Sequence, residues 1–377
     1  MYKRKALARE TYFISTFDAQ ILRIMLFFPL LPFLLSTFSS TAHCLNIIQK
    51  IEIPSKPFTV YWNSPTFQCK SHKIYFEDLL NKFRIVQNKN GEFIGEKITI
   101  LYDPGNFPAI LTDQNGKQFL RNGGVPQEGN LTDHLNHFEE RIYRDFPDED
   151  FNGIAIIDFE SWRPIYRQNW AALEPYKNLS VEIERQKHPS WNNAQLIKEA
   201  TRRFETAGRE YVEQTLLFAK SLRPNGTWGY YAYPYCFNMG TSNLVRDCSK
   251  EIQKENDRMN WLFGNTDNLY PSLYMPQNRL NAKQRVQMIE GRITESQRIN
   301  EVFDERKQIL PYFWYMYQDT KQFLSLEDLR NSFIVLKSFN IDGVIIWGSS
   351  NDVNSKEKCQ RLYNYIEKVL GPTINST

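Results

Sequence analysis

Seven times along the chain a short apolar run ends in an aromatic or acidic residue and then meets Pro, Gly, Ser or Asn. The seven are FTVYWN (58–63), ITILYDPG (98–105), IAIIDFE (154–160), WGYYAYP (228–234), NLYPSLYM (268–275), ILPYFWYMYQD (309–319) and GVIIWGSS (343–350). Runs of this length, rich in β-branched and aromatic residues and closed by turn formers, read as strands. Between several of them the apolar spacing changes to that of helices. The clearest helix is 191–222, with Ser190 as its expected N-cap and Pro224 just beyond its end. Its apolar stripe is Ile197, Ala200, Phe204, Ala207, Tyr211, Leu216 and Ala219, at spacings of three to five. Stretches 281–304, 326–339 and 359–370 predict three more, the last closed by Gly371-Pro372. Strands alternating with helices imply an α/β fold, a distorted TIM-like (β/α) barrel of about seven strands with one unit missing or distorted. No internal linker rich in Gly, Pro or Ser divides the chain, so residues 43–377 are expected to form one catalytic domain.

Composition changes this picture at the N-terminus. Lys3, Arg4, Lys5 and Arg9 precede an apolar stretch, 24–35, broken by Pro29 and Pro32, and then a small, polar stretch, 36–42. This is the pattern of a secretory signal over residues 1–42, with cleavage after Ala42. The apolar part is short for a membrane span, and its two prolines argue further against one. The segment holds five Lys/Arg and two acids, which together account for the formal charge of +3. The mature chain is therefore near neutral, and its charge gives no argument for nucleic-acid or membrane binding. Cleavage beyond Cys44 leaves Cys69, Cys236, Cys248 and Cys359, an even set suited to an oxidising compartment, whereas cleavage before it leaves Cys44 as an odd thiol. Sequence alone allows three pairings of the four. Asn130, Asn178, Asn225 and Asn375 open Asn-x-Ser/Thr sequons and are candidate glycosylation sites.

The candidate chemistry is concentrated between Asn152 and Trp170, NGIAIIDFESWRPIYRQNW. The run Ile154–Ile157 suits a strand buried on both faces. Strand alternation then points Asp158 and Glu160 the same way, with Cα atoms about 6.6 Å apart, while Phe159 turns back into packing. A lone D-x-E is weak evidence, because acids also mark the places where strands surface. Here Trp162, Arg163, Arg167, Asn169 and Trp170 crowd planar and cationic groups beside the two acids, unlike a solvated turn. The end of a buried parallel strand is also where barrel enzymes keep their chemistry. Two neighbouring carboxyls cannot easily flank a sugar ring, as ordinary glycoside hydrolysis requires, but they suit the substrate-assisted variant. Glu160 would protonate the glycosidic oxygen, the substrate's own acetamido group would attack, and Asp158 would stabilise the oxazolinium-like intermediate. Acids this close cannot both ionise freely, which favours a protonated Glu160. Tyr102, Asp103, Tyr231, Tyr274 and Trp347 also end strands, with Ser349, Ser350 and Asp352 following Trp347, and all are candidate substrate-binding residues. Arg163 is placed to meet a uronate carboxylate, or equally to make a structural ion pair. No H-E-x-x-H, cysteine cluster or Gly-x-Ser-x-Gly occurs, so no metal and no cofactor is expected.

The segment DFESWRPIYRQNW resembles the catalytic segment of the hyaluronidase family, especially its insect venom and salivary enzymes. YDPGNFP (102–108), NGTWGYYAYPYC (225–236), YPSLY (270–274) and IIWGSSND (345–352) extend the resemblance over about 58–372. The resemblance implies disulfides Cys69–Cys359 and Cys236–Cys248 and the acid and stabiliser roles given above for Glu160 and Asp158. It also implies substrate-site tyrosines at Tyr231 and Tyr274 and a groove cation at Arg292. Hyaluronan and related glycosaminoglycans would be the substrates of a secreted enzyme. Two alternatives stay open: a catalytically weak, carbohydrate-binding allergen homologue, and a chitinase-like barrel.

Overall fold

The computed structural model of the protein describes residues 57–241 and 243–377; the expected signal segment and Cys44 lie outside the described residues. Each of the seven sequence runs carries a strand. In chain order these are β1 (Thr59–Asn63), β2 (Ile98–Tyr102), the hairpin β3 (Ala109–Thr112) and β4 (Gln118–Arg121), β5 (Ile154–Asp158), β6 (Thr227–Tyr230), β7 (Asn268–Leu269), β8 (Gln308–Ile309), β9 (Tyr312–Trp314) and β10 (Gly343–Trp347). Parallel ladders join β2–β5–β6, β7–β8 and β9–β10–β1. Single parallel bridges, Tyr231 to Tyr270 and Ser272 to Tyr312, close the gaps between these groups.

The remaining seam lies between β1 and β2, which places the missing unit that the sequence left unlocated. A short segment fills it. Val86 exchanges backbone hydrogen bonds with β1, Trp62 N to Val86 O at 2.7 Å and Val86 N to Val60 O at 2.8 Å. Two residues on, the Asn88 side chain imitates a ladder partner for the start of β2. Its Oδ1 accepts from the Lys97 and Ile98 amides at 2.9 and 3.0 Å, and its Nδ2 donates to the Ile98 carbonyl at 2.7 Å. A buried asparagine thus satisfies the edge groups that an eighth strand would otherwise cover.

Alternation along the strands separates two cores. Ile98, Ile100, Ile154, Ile156, Tyr270, Tyr312 and Ile345 fill the barrel interior. Leu101, Ala155, Ile157, Val344 and Ile346 face outward into the layer shared with the helices. Continuing the inward parity to the C-terminal ends brings Tyr102, Asp158 and Trp347 to the mouth of the barrel.

Helices α1 (Glu77–Lys82), α2 (Leu131–Asp145), α3 (Glu174–Lys187), α4 (Asn193–Leu222), α5 (Lys250–Asp257), α6 (Asn260–Asn265), α7 (Ala282–Asn300), α8 (Leu326–Ser338) and α9 (Lys356–Tyr365) connect the strands. Asn192, not Ser190, caps α4, in a reciprocal capping box with Gln195. Its buried stripe runs through Leu196, Ala200, Phe204 and Gly208, while Ile197, one residue on from Leu196 and so about 100° around the helix, is exposed. The last helical stretch does not end at Gly371-Pro372 as expected: α9 ends at Tyr365. The chain continues as one π turn (Ile366–Leu370) into a further helical segment, in which Pro372 occupies a first-turn position that needs no amide donor. Both disulfides implied by the resemblance are present, Cys69–Cys359 across 290 residues and Cys236–Cys248 across 12.

Candidate active site

The two acids project from the end of β5, whose five residues are all buried. Phe159 turns away as the alternation requires, stacking on Phe107 at 4.0 Å and meeting Trp162 edge-on at 4.9 Å. Register places Tyr102 directly beside Asp158 on one side, and β6 delivers Tyr231 on the other. Asp158 is 9% exposed, and its carboxyl makes no hydrogen bond among the described residues. Burial, the neighbouring Glu160 charge and Asp103 push it up to about 8. Glu160 opens to solvent at the cavity it lines, yet the surrounding walls still raise it above the usual carboxylate range, an effect opposed by the Arg163 cation. From sequence, the raised value is expected on Glu160. Both acids are raised, and Asp158, the deeper of the two, is the one pushed to about 8.

A cavity of about 260 Å³ adjoins Glu160, walled by Arg163, Trp170, Tyr231, Tyr235, Phe237 and Arg292. Arg163 is held in a cage of aromatic faces, with its guanidinium carbon 4.7 Å from the Tyr235 ring centre, 5.1 Å from Phe237 and 5.7 Å from Trp170. Its Nη1 donates to the Gln168 carbonyl at 2.7 Å, and its Nε is buried without a partner. No carboxylate of the described residues pairs with it, so the structural ion pair considered from sequence is not formed. Arg292 donates to the Ser272 carbonyl and, at 3.2 Å, to Asn238 Oδ1, and burial lowers it to about 10, leaving it cationic at neutral pH. Phe237, with φ of +55°, adjoins the disulfide Cys236–Cys248, which ties down this wall.

On the other side of Tyr274 lies a second cavity, about 530 Å³, lined by Trp314, Trp347, Ser349 and Asp352 among others. Tyr274 and Gln318 line both cavities, so the two form one groove across the barrel mouth. Trp347 stacks on Tyr274 at 5.4 Å, meets Trp314 edge-on at 5.2 Å, and donates from Nε1 to the Tyr102 hydroxyl at 2.6 Å. Tyr231 donates to Ser272 Oγ at 3.1 Å, and the acids nearby help to raise its hydroxyl pKa, after burial itself.

Three candidate residues are committed to the protein itself. Asp103 forms a bidentate pair with Arg121 at 2.6 and 2.8 Å, and its amide donates to the Asp158 carbonyl at 2.7 Å, so it braces the end of β5 from outside either cavity. Asp352 accepts at one oxygen from Trp314 Nε1 (2.9 Å), the Tyr315 hydroxyl (3.1 Å) and the Ser349 amide (2.9 Å). It therefore holds the aromatic floor in place. Ser349 caps the following turn by accepting from the Asn351 amide at 3.2 Å. Ser350 is exposed and lines neither cavity. Gly348 is obligatory here, because a Cβ would collide with the Tyr315 and Ser64 hydroxyls. Sequence reasoning missed Trp314, Gln318, Lys321, Lys358 and Arg361 as groove residues. Only Trp314 carried a signal, as one of the aromatics ending the run 309–319. Among the described residues no group of three or more His, Cys, Asp or Glu could hold a metal ion, and no helix is long and apolar enough to cross a membrane.

Residues 48–377 match a protein-family model described as hyaluronidase. The chain is 47% identical to hyaluronidase A of Vespula vulgaris over 328 residues, 86% of this chain and 98% of that one. A crystal structure of bee venom hyaluronidase in complex with a hyaluronic acid tetramer superposes with a TM-score of 0.83 at 48% identity, covering 84% of this chain and 98% of that one. An inactive hyaluronidase B of Vespula vulgaris is 40% identical over 320 residues, 85% of this chain and 94% of that one.

Proposed function

The chain belongs to the hyaluronidase family and is a glycoside hydrolase, and from that premise we propose that it cleaves hyaluronan endolytically at β-1,4 N-acetylhexosaminide bonds by a substrate-assisted, retaining route. The observation that carries this reading is the pairing of a solvent-facing Glu160 with a buried Asp158 that has no donor of its own. A buried carboxyl without a partner is costly unless something arrives to satisfy it. The acetamido N–H of a bound N-acetylhexosamine is such a donor, and the charge it acquires during reaction is of the right sign.

Glu160 gives its proton to the glycosidic oxygen as that bond to the anomeric carbon breaks. The acetamido carbonyl oxygen closes onto the same carbon; the incoming N–H donor and the developing positive charge draw Asp158 to its ionised form, with its proton lost to water, and the carboxylate then stabilises the oxazolinium through that N–H. Water then attacks the anomeric carbon as its bond to the acetamido oxygen breaks, regenerating the acetamide, and gives a proton to Glu160, which restores the acid and retains configuration. Tyr102, Tyr231 and Tyr274 keep their protons, since burial raises all three hydroxyls, and they supply neutral hydrogen-bonding groups around the reacting sugar. Arg163 and Arg292 put positive charge beside Glu160, which favours a uronate-bearing chain over neutral chitin.

Residues 1–42 serve as a secretory signal in this reading, consistent with two disulfides in the remaining chain. The sequon residues Asn130, Asn178, Asn225 and Asn375 are all exposed and accessible to glycosylation. Parallel digestion of hyaluronan, chondroitin sulfate and chitin tests the assignment. Rapid loss of hyaluronan, slower loss of chondroitin sulfate and none of chitin is expected. Cleavage of chitin alone would move the chain to a chitinase-like specificity, and binding of hyaluronan without cleavage would make it a carbohydrate-binding homologue.

A further inference from the structure

The larger half of the groove has a chemistry that the reaction above does not use. Its floor is Trp314, Met316, Phe323 and Tyr274, and Lys321, Lys358 and Arg361 stand over it. None of these three cations makes a salt bridge among the described residues. Lys321 Nζ lies 4.3 Å from the Trp314 ring centre and donates to the Gln318 carbonyl at 2.7 Å. Lys358 Nζ donates to the Asn351 carbonyl at 2.6 Å and to Asn354 Oδ1 at 2.9 Å. Arg361 rests on Phe323 at 5.7 Å and makes no hydrogen bond within the described chain. Several exposed arginines elsewhere are matched with acids, as in Arg185–Glu182, Arg202–Glu199 and Arg209–Glu213, although Arg84 and Arg330 are not; what sets Lys321, Lys358 and Arg361 apart is that they line one cavity together. The carboxylate of this cavity, Asp352, is already engaged by Trp314, Tyr315 and Ser349.

The cluster is also held rigidly. Lys358 and Arg361 are three residues apart in the first two turns of α9, so they share one face near its positive end. Cys359, buried between them in sequence, ties α9 to Cys69 in the turn that follows β1. Three cations without anionic partners, fixed over an aromatic floor in a cavity of about 530 Å³, make a receptor for an anionic sugar ring.

We propose that Lys321, Lys358 and Arg361 form an anionic-sugar subsite, which receives a uronate carboxylate or a sulfate ester at least one residue along the chain from the sugar held over Asp158. The inference rests on the reading of the groove as a glycosaminoglycan site, and it adds a specificity determinant remote from the reacting atoms. The test is calorimetric binding to the Glu160→Gln protein, which removes turnover, with and without Lys358→Gln/Arg361→Gln. Lys321 is left in place because it packs on the floor itself. The probes are octasaccharides of hyaluronan, chondroitin sulfate and chitin.

Loss of two partly exposed ion pairs should weaken hyaluronan binding by about threefold to thirtyfold, leave chitin binding unchanged, and flatten the salt dependence. Lys358→Arg/Arg361→Lys, which keeps both charges, should restore most of the affinity. A loss confined to chondroitin sulfate would also support the subsite and identify its ligand as the sulfate ester. Unchanged affinity for both anionic chains, or equal losses on anionic and neutral chains, would overturn the proposal. So would failure of the parent protein to bind either anionic chain. A wild-type protein that binds hyaluronan in this charge-dependent way without cleaving it would instead refute the hydrolytic reading and leave the subsite standing.

Discussion

Replacing Asp158 by Asn should make the protein more stable at neutral pH while removing its activity. Asp158 is nearly buried, lacks a hydrogen-bond donor and sits beside Glu160, so its ionised form burdens the fold. Its carboxyl is raised from an ordinary 3.8 to about 8, so the stability it contributes is complete below about pH 4 and is lost as pH rises through about 8. A displacement of that size corresponds to about 5–6 kcal/mol. Water in the adjoining cavity screens part of it, leaving about 2–4 kcal/mol as the expected gain from a neutral isostere. At about 2 cal/mol/K per residue over roughly 320 ordered residues, that gain raises Tm by about 3–6 °C. The assay is paired differential scanning calorimetry of wild type and Asp158→Asn between pH 4.5 and 8.5. The two should melt together at the acid end, where Asp158 is protonated, and separate progressively towards pH 8. A gap that is absent at pH 8, or equally large at pH 4.5, would refute the assignment of a strained carboxyl to this position.

Other substitutions read other parts of the site. Arg163→Met keeps the packing among Trp170, Tyr235 and Phe237 but removes the cation that holds Glu160 down, so the alkaline limb of kcat/KM should move to higher pH; an unmoved limb would show that Glu160 does not feel Arg163. Trp347→Phe deletes the 2.6 Å bond to Tyr102 and keeps a ring to stack on Tyr274, so KM should rise by about threefold to tenfold with kcat little changed. Cys69→Ser/Cys359→Ser opens a loop of 290 residues, and thermal unfolding should report a loss of roughly 5–6 kcal/mol in the chain-entropy account.

Much of this architecture was legible because local pattern and tertiary role coincide. The seven apolar runs are strands because barrel strands are covered on both faces, and the same alternation that pointed Asp158 and Glu160 together also brought Tyr102 and Trp347 to the barrel mouth. Helices α2 and α3 escaped notice because their surfaces are mostly charged and they bury only His134, Phe138 and Ile142 in one and Tyr176, Ser180 and Glu184 in the other. The hairpin β3–β4 leaves Phe119 and Leu120 exposed, so no buried face marks it. Asp103 and Asp352 were expected in the groove as strand-end acids. Only the positions of Arg121, Trp314 and Tyr315, remote in sequence from at least one of the pair, reveal that both are already occupied. Lys358 and Arg361 look like ordinary solvated helix charges until α9 is seen against the floor of the cavity.

Glu160 as the proton donor to a leaving sugar is tested most directly by the turnover of hyaluronan by Glu160→Gln. The amide keeps the shape and the solvent-facing position of the side chain but has no proton to give. Turnover should fall by about 10²–10⁴-fold, with the oligosaccharide affinity and the melting temperature close to those of the wild type. Wild-type turnover in a folded Glu160→Gln protein would contradict the account at its centre.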